Sequence, residues 1–454
     1  MQPRVGIALG GGGSKGDFEV GALRYLYEIG IRPDIVTGSS VGAINALKLA
    51  EGGGAGDDHA QRQLERIWRG LSSERDMYEL EPWMQTIQDL RIQEIIVRGM
   101  NVQGSSALAS WLRLPALLVS GLIGSGLDIH AVADAVNMAT RARSIYNLGP
   151  VERLMRDPAT FDPGKLATSG IRLRLSMVGL ESGKLRHADE RGNISGVEHA
   201  PVDIVDAAMA SASIPMMYPP RFLAGEHYVD GGIRQIMPIL PAIDAGATEI
   251  YGITAAQQSL PADTFAGETL VPIGMRAFGD LMVDEITEGD IREATSAGRR
   301  ITMTIIRPSI DVHDLMTIDP GLIDISIDYG YMRAADVLGV GLEDRDRAMS
   351  LSDEITSLRI NAWKLEESIN HSRPRQILTS GDRSTLSSIR SLKRSIHART
   401  EERAGLGAAV PADTERLWSS WEIHRTPMQP DTPWSRVFTT FGPLPDASPP
   451  GPLR

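Results

Sequence analysis

The first apolar run, Val5 to Leu9 (Val-Gly-Ile-Ala-Leu), stops at four consecutive glycines, Gly10 to Gly13. Apolar positions return at Phe18, Ala22, Leu23 and Leu26, the spacing of one helix face. The pattern predicts a buried strand, a glycine loop and a helix closed by Gly30. After Pro33, Ile35-Val36-Thr37 predicts a second strand running into Gly38-Ser39-Ser40-Val41-Gly42, followed directly by a second helix from Val41 to Ala50. A glycine-rich polar loop, Glu51 to Asp58, then leads into a largely helical stretch that ends near residue 160.

Further strands are predicted at Ile171 to Val178, His227 to Val229, Glu249 to Ile253 and Ile301 to Ile306, with helical patterns between most of them. Such alternation implies an α/β fold: a three-layer α/β/α sandwich with a doubly wound, mostly parallel sheet. Ligands of such sheets sit beyond the carboxyl ends of the strands. Past Val340 the pattern changes. Leu351, Ile355, Leu358, Ala362, Leu365 and Ile369 form a narrow apolar seam, which predicts a helical arm. The expected units are 1–340 for the catalytic part, 341–425 for the arm and 426–454 for a proline-rich, extended tail.

A chain of 454 residues exceeds what one core usually supports, in keeping with a large domain and an appendage. With 46 Lys+Arg against 58 Asp+Glu, the formal charge of -12 speaks against nucleic acid as a partner. The absence of cysteine rules out disulfides and thiolate metal sites and fits a reducing, cytoplasmic setting. No secretion signal is visible at the N-terminus. The most apolar stretch, Leu114 to Gly126, falls well short of the roughly 20 residues a spanning helix needs, so it reads as a core helix or as a lip admitting acyl chains. The basic segment Arg373 to Arg403 reads as a solvated helical surface or as a contact for anionic head groups, and the seam before it offers a surface for homo-oligomers.

Candidate chemistry centres on Gly38-Ser39-Ser40-Val41-Gly42, which fits the G-x-S-x-G nucleophile elbow, with Gly38 and Gly42 making room around Ser40. The pentapeptide alone fits an ordinary turn equally well; the strand before it and the helix after it favour the nucleophile. A serine hydroxyl needs a base, and acyl transfer needs donors for the developing oxyanion. Gly11, Gly12 and Gly13, with the helix start at Ser14, Lys15 and Gly16, offer a row of backbone N–H groups for that purpose. The same loop satisfies G-x-G-x-x-G, so a dinucleotide-binding oxidoreductase stays open. The acidic residue of the second strand, Asp34, lies at its start rather than its end. A phosphate-binding loop fits poorly, because Lys15 follows Ser14 and precedes Gly16.

Gly11 to Gly16 (Gly-Gly-Gly-Ser-Lys-Gly), the Ser40 elbow and Asp230-Gly231-Gly232 occur in one order that resembles the patatin-like phospholipase family. Ala210-Ser211-Ala212-Ser213-Ile214-Pro215 and Tyr228-Val229 are similar to the family's surroundings of those motifs, over roughly residues 1 to 340. The resemblance implies that Ser40 is nucleophile and Asp230 its base in a dyad without histidine, with Gly231 and Gly232 completing the Asp motif and the glycine loop as oxyanion hole. It implies a lipid acyl hydrolase acting through an acyl-enzyme, with neither metal nor cofactor, on phospholipid, lysophospholipid or glycerolipid at a membrane or micelle surface. Lys15 stands where the family more often has Arg. A Ser-Asp-His triad would need a later histidine, and His313, His371, His397 and His424 qualify by order, while His227 is expected to flank the site. A lipid-binding or scaffold protein with an inactive site is the remaining alternative.

Overall fold

Alternate residues of the two leading strands serve different cores. Ile7, Leu9 and Val36 join one apolar cluster with Leu173, Leu175 and Met177, whereas Ala8 and Ile35 join another with Ile239, Ile243 and Ile250. A sheet can bury both faces only when helices cover each of them. The structure, a computed structural model, describes residues 3–53, 58–89, 141–260, 275–297, 301–339, 341–372 and 380–411, with the single positions 262 and 273. The Leu114 to Gly126 stretch and the proline-rich tail lie outside the described residues.

The strands are β1 (Val5–Leu9), β2 (Ile35–Ser39), β3 (Glu79–Leu80), β4 (Tyr146–Asn147), β5 (Arg172–Gly179), β6 (Leu185–Asp189), β7 (Arg221–Leu223), β8 (Glu226–Asp230), β9 (Glu249–Ile253) and β10 (Thr302–Ile306). The helices are α1 (Gly16–Glu28), α2 (Val41–Leu49), α3 (His59–Gly70), α4 (Pro82–Asp89), α5 (Gly149–Arg156), α6 (Pro163–Ser169), α7 (Ile204–Ser211), α8 (Ile239–Asp244), α9 (Met282–Ser296), α10 (Pro320–Leu338), α11 (Leu342–Ser372) and α12 (Ser380–Gly405). Helices α1, α2, α3 and α10 cover one face of the sheet; α8 and α9 cover the other. Each large apolar side chain buried there contributes about 1.5–3 kcal/mol.

The main sheet runs β10-β9-β1-β2-β5-β8-β7, with β6 also on β5. The pairs from β10 to β5 are parallel, as the sequence predicts, and the remainder are antiparallel. The register along β5 is what builds the site. Strand β2 pairs with Arg172 to Ser176, and β8 pairs with Met177 to Gly179. Strand β6 occupies the other edge of β5 over Arg174 to Val178, so β2 and β8 must share one edge, end to end. Ser39 sits opposite Ser176 and Asp230 opposite Met177, which brings Ser40, the residue after Ser39, into contact with Asp230, 190 positions away in sequence.

Helix α10 is buried around almost its whole circumference, including Asp328, Arg333 and Asp336. Its N-cap Asp319 accepts the amides of Gly321 (2.8 Å) and Leu322 (3.1 Å), a cap of about 1 kcal/mol. The buried charges of α10 are met from α11 and α12: Arg359 pairs with Asp328 at 2.8 Å, and Arg403 with Asp336 at 2.5 Å. Arg403 also donates to the carbonyls of Met332, Ala348 and Ala409. The seam residues Leu351, Ile355 and Ala362 are fully buried. Among the described residues no helix is long and apolar enough to cross a membrane.

Candidate active site

Ser40 closes β2 and precedes the first residue of α2, with φ 55° and ψ -131°. A non-glycine residue held there stores roughly 1–3 kcal/mol of backbone strain, and the sharp turn lifts the hydroxyl out of the sheet. Neighbours must be small for this turn to close. A β-carbon at Gly42 would collide with the carbonyl oxygens of Leu9 and Gly10, and one at Gly38 with the main chain of Gly42 and Ala43. The backbone is further held by the Ser40 amide, which donates to the Ser211 hydroxyl (3.1 Å), itself bonded to the Ser176 carbonyl (2.5 Å).

The Ser40 hydroxyl donates to Asp230 Oδ2 at 2.7 Å. Asp230 Oδ1 accepts the amide of Gly232 at 2.7 Å, and the Asp230 amide donates to the Ser213 carbonyl at 2.9 Å, so the carboxyl is fixed from both sides. Both side chains are buried, Ser40 at 5% and Asp230 at 4% exposure. Burial pushes the Asp230 carboxyl up to about 7, and the bonds from Ser40 and Gly232 only partly offset it. Gly231 packs against the Ser176 carbonyl and the Ser39 side chain, and Gly232 against Ile236.

The glycine loop lies against the nucleophile. A β-carbon at Gly11 would sit 3.1 Å from Ser40 Cβ and 3.8 Å from its Oγ. The six-residue stretch does not act as one row of donors. The amide of Ser14 is bonded to the Leu315 carbonyl (2.9 Å), that of Lys15 to the Gly12 carbonyl (3.1 Å), and that of Gly16 to the Gly13 carbonyl. Among the described residues the amides of Gly11, Gly12 and Gly13 have no such protein partner. The Lys15 ammonium pairs with Asp311 at 2.8 Å. The amide of Val41, first in α2, is an unspent donor of the helix start that motif reading passed over, although the residue after an elbow serine is a regular oxyanion donor.

The histidines stand elsewhere. His313 is buried against Asp17, His397 lies on the exposed face of α12 near Glu401, and His227 bonds Glu181 at the sheet edge with its ring tilted against that of Phe222. His371 ends α11, in a part whose side chains are not described, and His424 lies outside the described residues. Sequence reasoning missed His187, whose Nε2 reaches Gln235 Oε1 at 3.0 Å; Gln235 in turn bonds Ser176 and, through its carbonyl, Ser39. This network braces the strand ends behind the Ser-Asp pair. Asp34 is occupied at the opposite end of the sheet, where it accepts the Val5 amide at 2.9 Å, so it faces no ligand of the glycine loop. Among the described residues no group of three or more His, Asp or Glu is arranged to hold a metal ion.

Comparison with known proteins places this geometry among relatives. Residues 7–243 match the model of the patatin-like phospholipase family. Uncharacterized NTE family proteins of Mycobacterium bovis and Mycobacterium tuberculosis are 26% identical over 200 residues, which is 41% of this chain and 52% of each relative. The chain thus spans about half the length of the curated relatives it matches. Among solved structures, VipD from Legionella pneumophila is 14% identical, with 92% of this chain and 83% of that one covered and a TM-score of 0.38. Human GIVD cytosolic phospholipase A2 is 13% identical, with 61% and 43% covered and a TM-score of 0.24. With the family model spanning more than half of its length, this chain belongs to the patatin-like phospholipase family.

Proposed function

We propose that this protein hydrolyses carboxylic esters of lipids through a Ser40–Asp230 dyad and an acyl-enzyme intermediate. The observation that carries the reading is the buried 2.7 Å hydrogen bond from the Ser40 hydroxyl to the Asp230 carboxylate. An ordinary carboxylate is too weak a base to activate serine efficiently near neutral pH. A carboxyl raised to about 7 matches its task, and such a base contributes roughly 10²- to 10⁴-fold.

In the acylation step Ser40 Oγ attacks the ester carbonyl carbon while its proton passes to Asp230 Oδ2. The carbonyl oxygen becomes an oxyanion held by the amides of Gly11, Gly12, Gly13 and Val41, a term worth roughly 10²- to 10³-fold per donor. Collapse of the tetrahedral adduct breaks the bond to the leaving alcohol, which takes the proton from Asp230. Water then repeats the sequence on the acyl-enzyme and releases the fatty acid. No residue role in this scheme calls for a metal or an organic cofactor. The membrane or micelle surface as the place of reaction, and the choice among phospholipid, lysophospholipid and glycerolipid, belong to the same proposal.

A fluorophosphonate probe and product mass spectrometry on a mixed lipid extract test it together. Labelling of the wild type, lost in Ser40→Ala, with free fatty acid released only by the wild type, is the expected result. Folded wild-type protein that neither labels nor releases fatty acid overturns the proposal and favours a lipid-binding role.

A further inference from the structure

The glycine loop does not hold its own shape. Gly13 adopts φ +57°, and its neighbour Ser14 is pinned by a second segment 300 residues away: the Ser14 amide donates to the Leu315 carbonyl (2.9 Å) and the Ser14 hydroxyl to the Asp314 carbonyl (2.9 Å). The Leu315 carbonyl oxygen lies 2.5 Å from where a β-carbon of Gly13 would be, so the two segments touch main chain to main chain. What holds the 311–317 segment in turn is His313. Its Nε2 lies 2.8 Å from Asp17 Oδ2, in the first turn of α1, and its Nδ1 lies 3.0 Å from the Asp314 carbonyl, the oxygen that also accepts from Ser14.

The partners decide the protonation of the ring. A carbonyl oxygen can only accept, so Nδ1 carries a proton. Asp17 Oδ1 already receives the Phe18 amide (2.7 Å) and the Ser326 hydroxyl (2.6 Å), and its Oδ2 faces the ring nitrogen, so Nε2 carries or shares the second. The other groups around the ring are the Lys15 ammonium with its partner Asp311 and the Asp314 carboxyl, which bonds the amides of Met316 and Thr317; Glu19, in the same first turn of α1 as Asp17, faces Asn45 instead. From α10, Tyr329 and Ser326 line one small cavity together with His313, the Tyr329 hydroxyl being turned to Asp353. Burial opposes a charged ring, but the facing Asp17 carboxylate and its hydrogen bond prevail and raise the His313 pKa.

We propose that His313, as a buried imidazolium clasped to Asp17, is a positioning residue that holds the oxyanion loop in its working shape. The proposal rests on the hydrolase reading above. It gives the clasp a sign with pH: the raised value means the clasp is complete below the ordinary histidine range and is lost as pH rises through the folded-state value. Losing the ring proton frees the Asp314 and Leu315 carbonyls that pin Ser14, so the donors at Gly11 to Gly13 lose their aim while the Ser40–Asp230 pair stays intact.

The test is ester hydrolysis on a short soluble substrate across pH, for wild type and for His313→Gln, which keeps a neutral donor. The expected result is a fall in kcat of roughly tenfold or more with KM little changed, because only transition-state contacts are weakened. The alkaline fall of the wild-type profile should disappear in the variant. A second measurement needs no variant: nitrogen-15 NMR of the histidine rings in the full chain should show one ring that stays doubly protonated above the ordinary histidine range, losing its proton along the same curve as the alkaline fall in kcat. An active His313→Gln with an unchanged profile overturns the proposal, as does a His313 ring that gives up its second proton at or below the ordinary histidine value. Wild-type protein without any ester hydrolysis or probe labelling sinks the underlying hydrolase reading and this one with it, a result distinct from the others.

Discussion

Replacing Asp230 by asparagine tests stability and chemistry in one variant. Burial pushes the Asp230 carboxyl from 3.8 to about 7, so folding disfavours its ionised form. Between those values the unfolded carboxyl is ionised while the folded one keeps its proton; stability therefore falls as pH rises through that window, and the full penalty applies above about 7. At about 1.36 kcal/mol per pKa unit the penalty is about 4 kcal/mol. An amide carries no such penalty and keeps an oxygen for the Gly232 amide, but it cannot accept the Ser40 hydroxyl proton, a loss of about 1 kcal/mol. Asp230→Asn should thus be more stable than wild type by about 3 kcal/mol above neutral pH, with the gain gone below about pH 4. Turnover should drop by roughly 10²- to 10⁴-fold. Urea unfolding across pH, run beside ester hydrolysis, reads both effects, and with a slope near 3 kcal/mol/M the midpoint gap is about 1 M. A gap that does not widen with pH refutes the desolvation argument, and undiminished turnover removes Asp230 as the base.

Because the base must be unprotonated, kcat/KM of the wild type should climb about tenfold per pH unit below Asp230's value of about 7 and level off above it, until the His313 clasp opens; a profile flat from about pH 5 to about pH 8 contradicts the assignment. Arg403→Met leaves Asp336 buried without its guanidinium and should cost about 3–5 kcal/mol, read as a lowered unfolding midpoint with esterase turnover preserved at low temperature. An unchanged midpoint would mean that Asp336 finds another partner or takes up a proton at no cost.

The Ser40 elbow and its strand were legible because strand, turn and helix are encoded within a dozen consecutive residues, and local signals of that kind survive folding. The parallel half of the sheet was legible for the same reason, since its strands are short continuous apolar runs. Strands β6 and β7 were not: Leu185-Arg-His-Ala-Asp is polar enough to read as a loop, and Arg221–Leu223 is too short to carry a period. The charges of α10 carry no sequence signal of their burial: Asp328 and Asp336 are buried because Arg359 and Arg403 reach them from helices that follow. The division of labour inside the glycine loop was equally invisible. The Ser14 amide and hydroxyl are taken by the Leu315 and Asp314 carbonyls, whose distance in sequence no motif spans.

The clamp of the 311–317 segment on the glycine loop also sets an order of events during synthesis. Residues 5–49 leave the ribosome before residues 311–317 and can form β1, the elbow and α2, yet at roughly 5–20 residues per second the segment that shapes their loop follows only after some tens of seconds. On the proposed hydrolase reading, a nascent chain carries its serine well before the loop that serves it has taken its working shape, so ester cleavage should be absent until the 311–317 segment has docked.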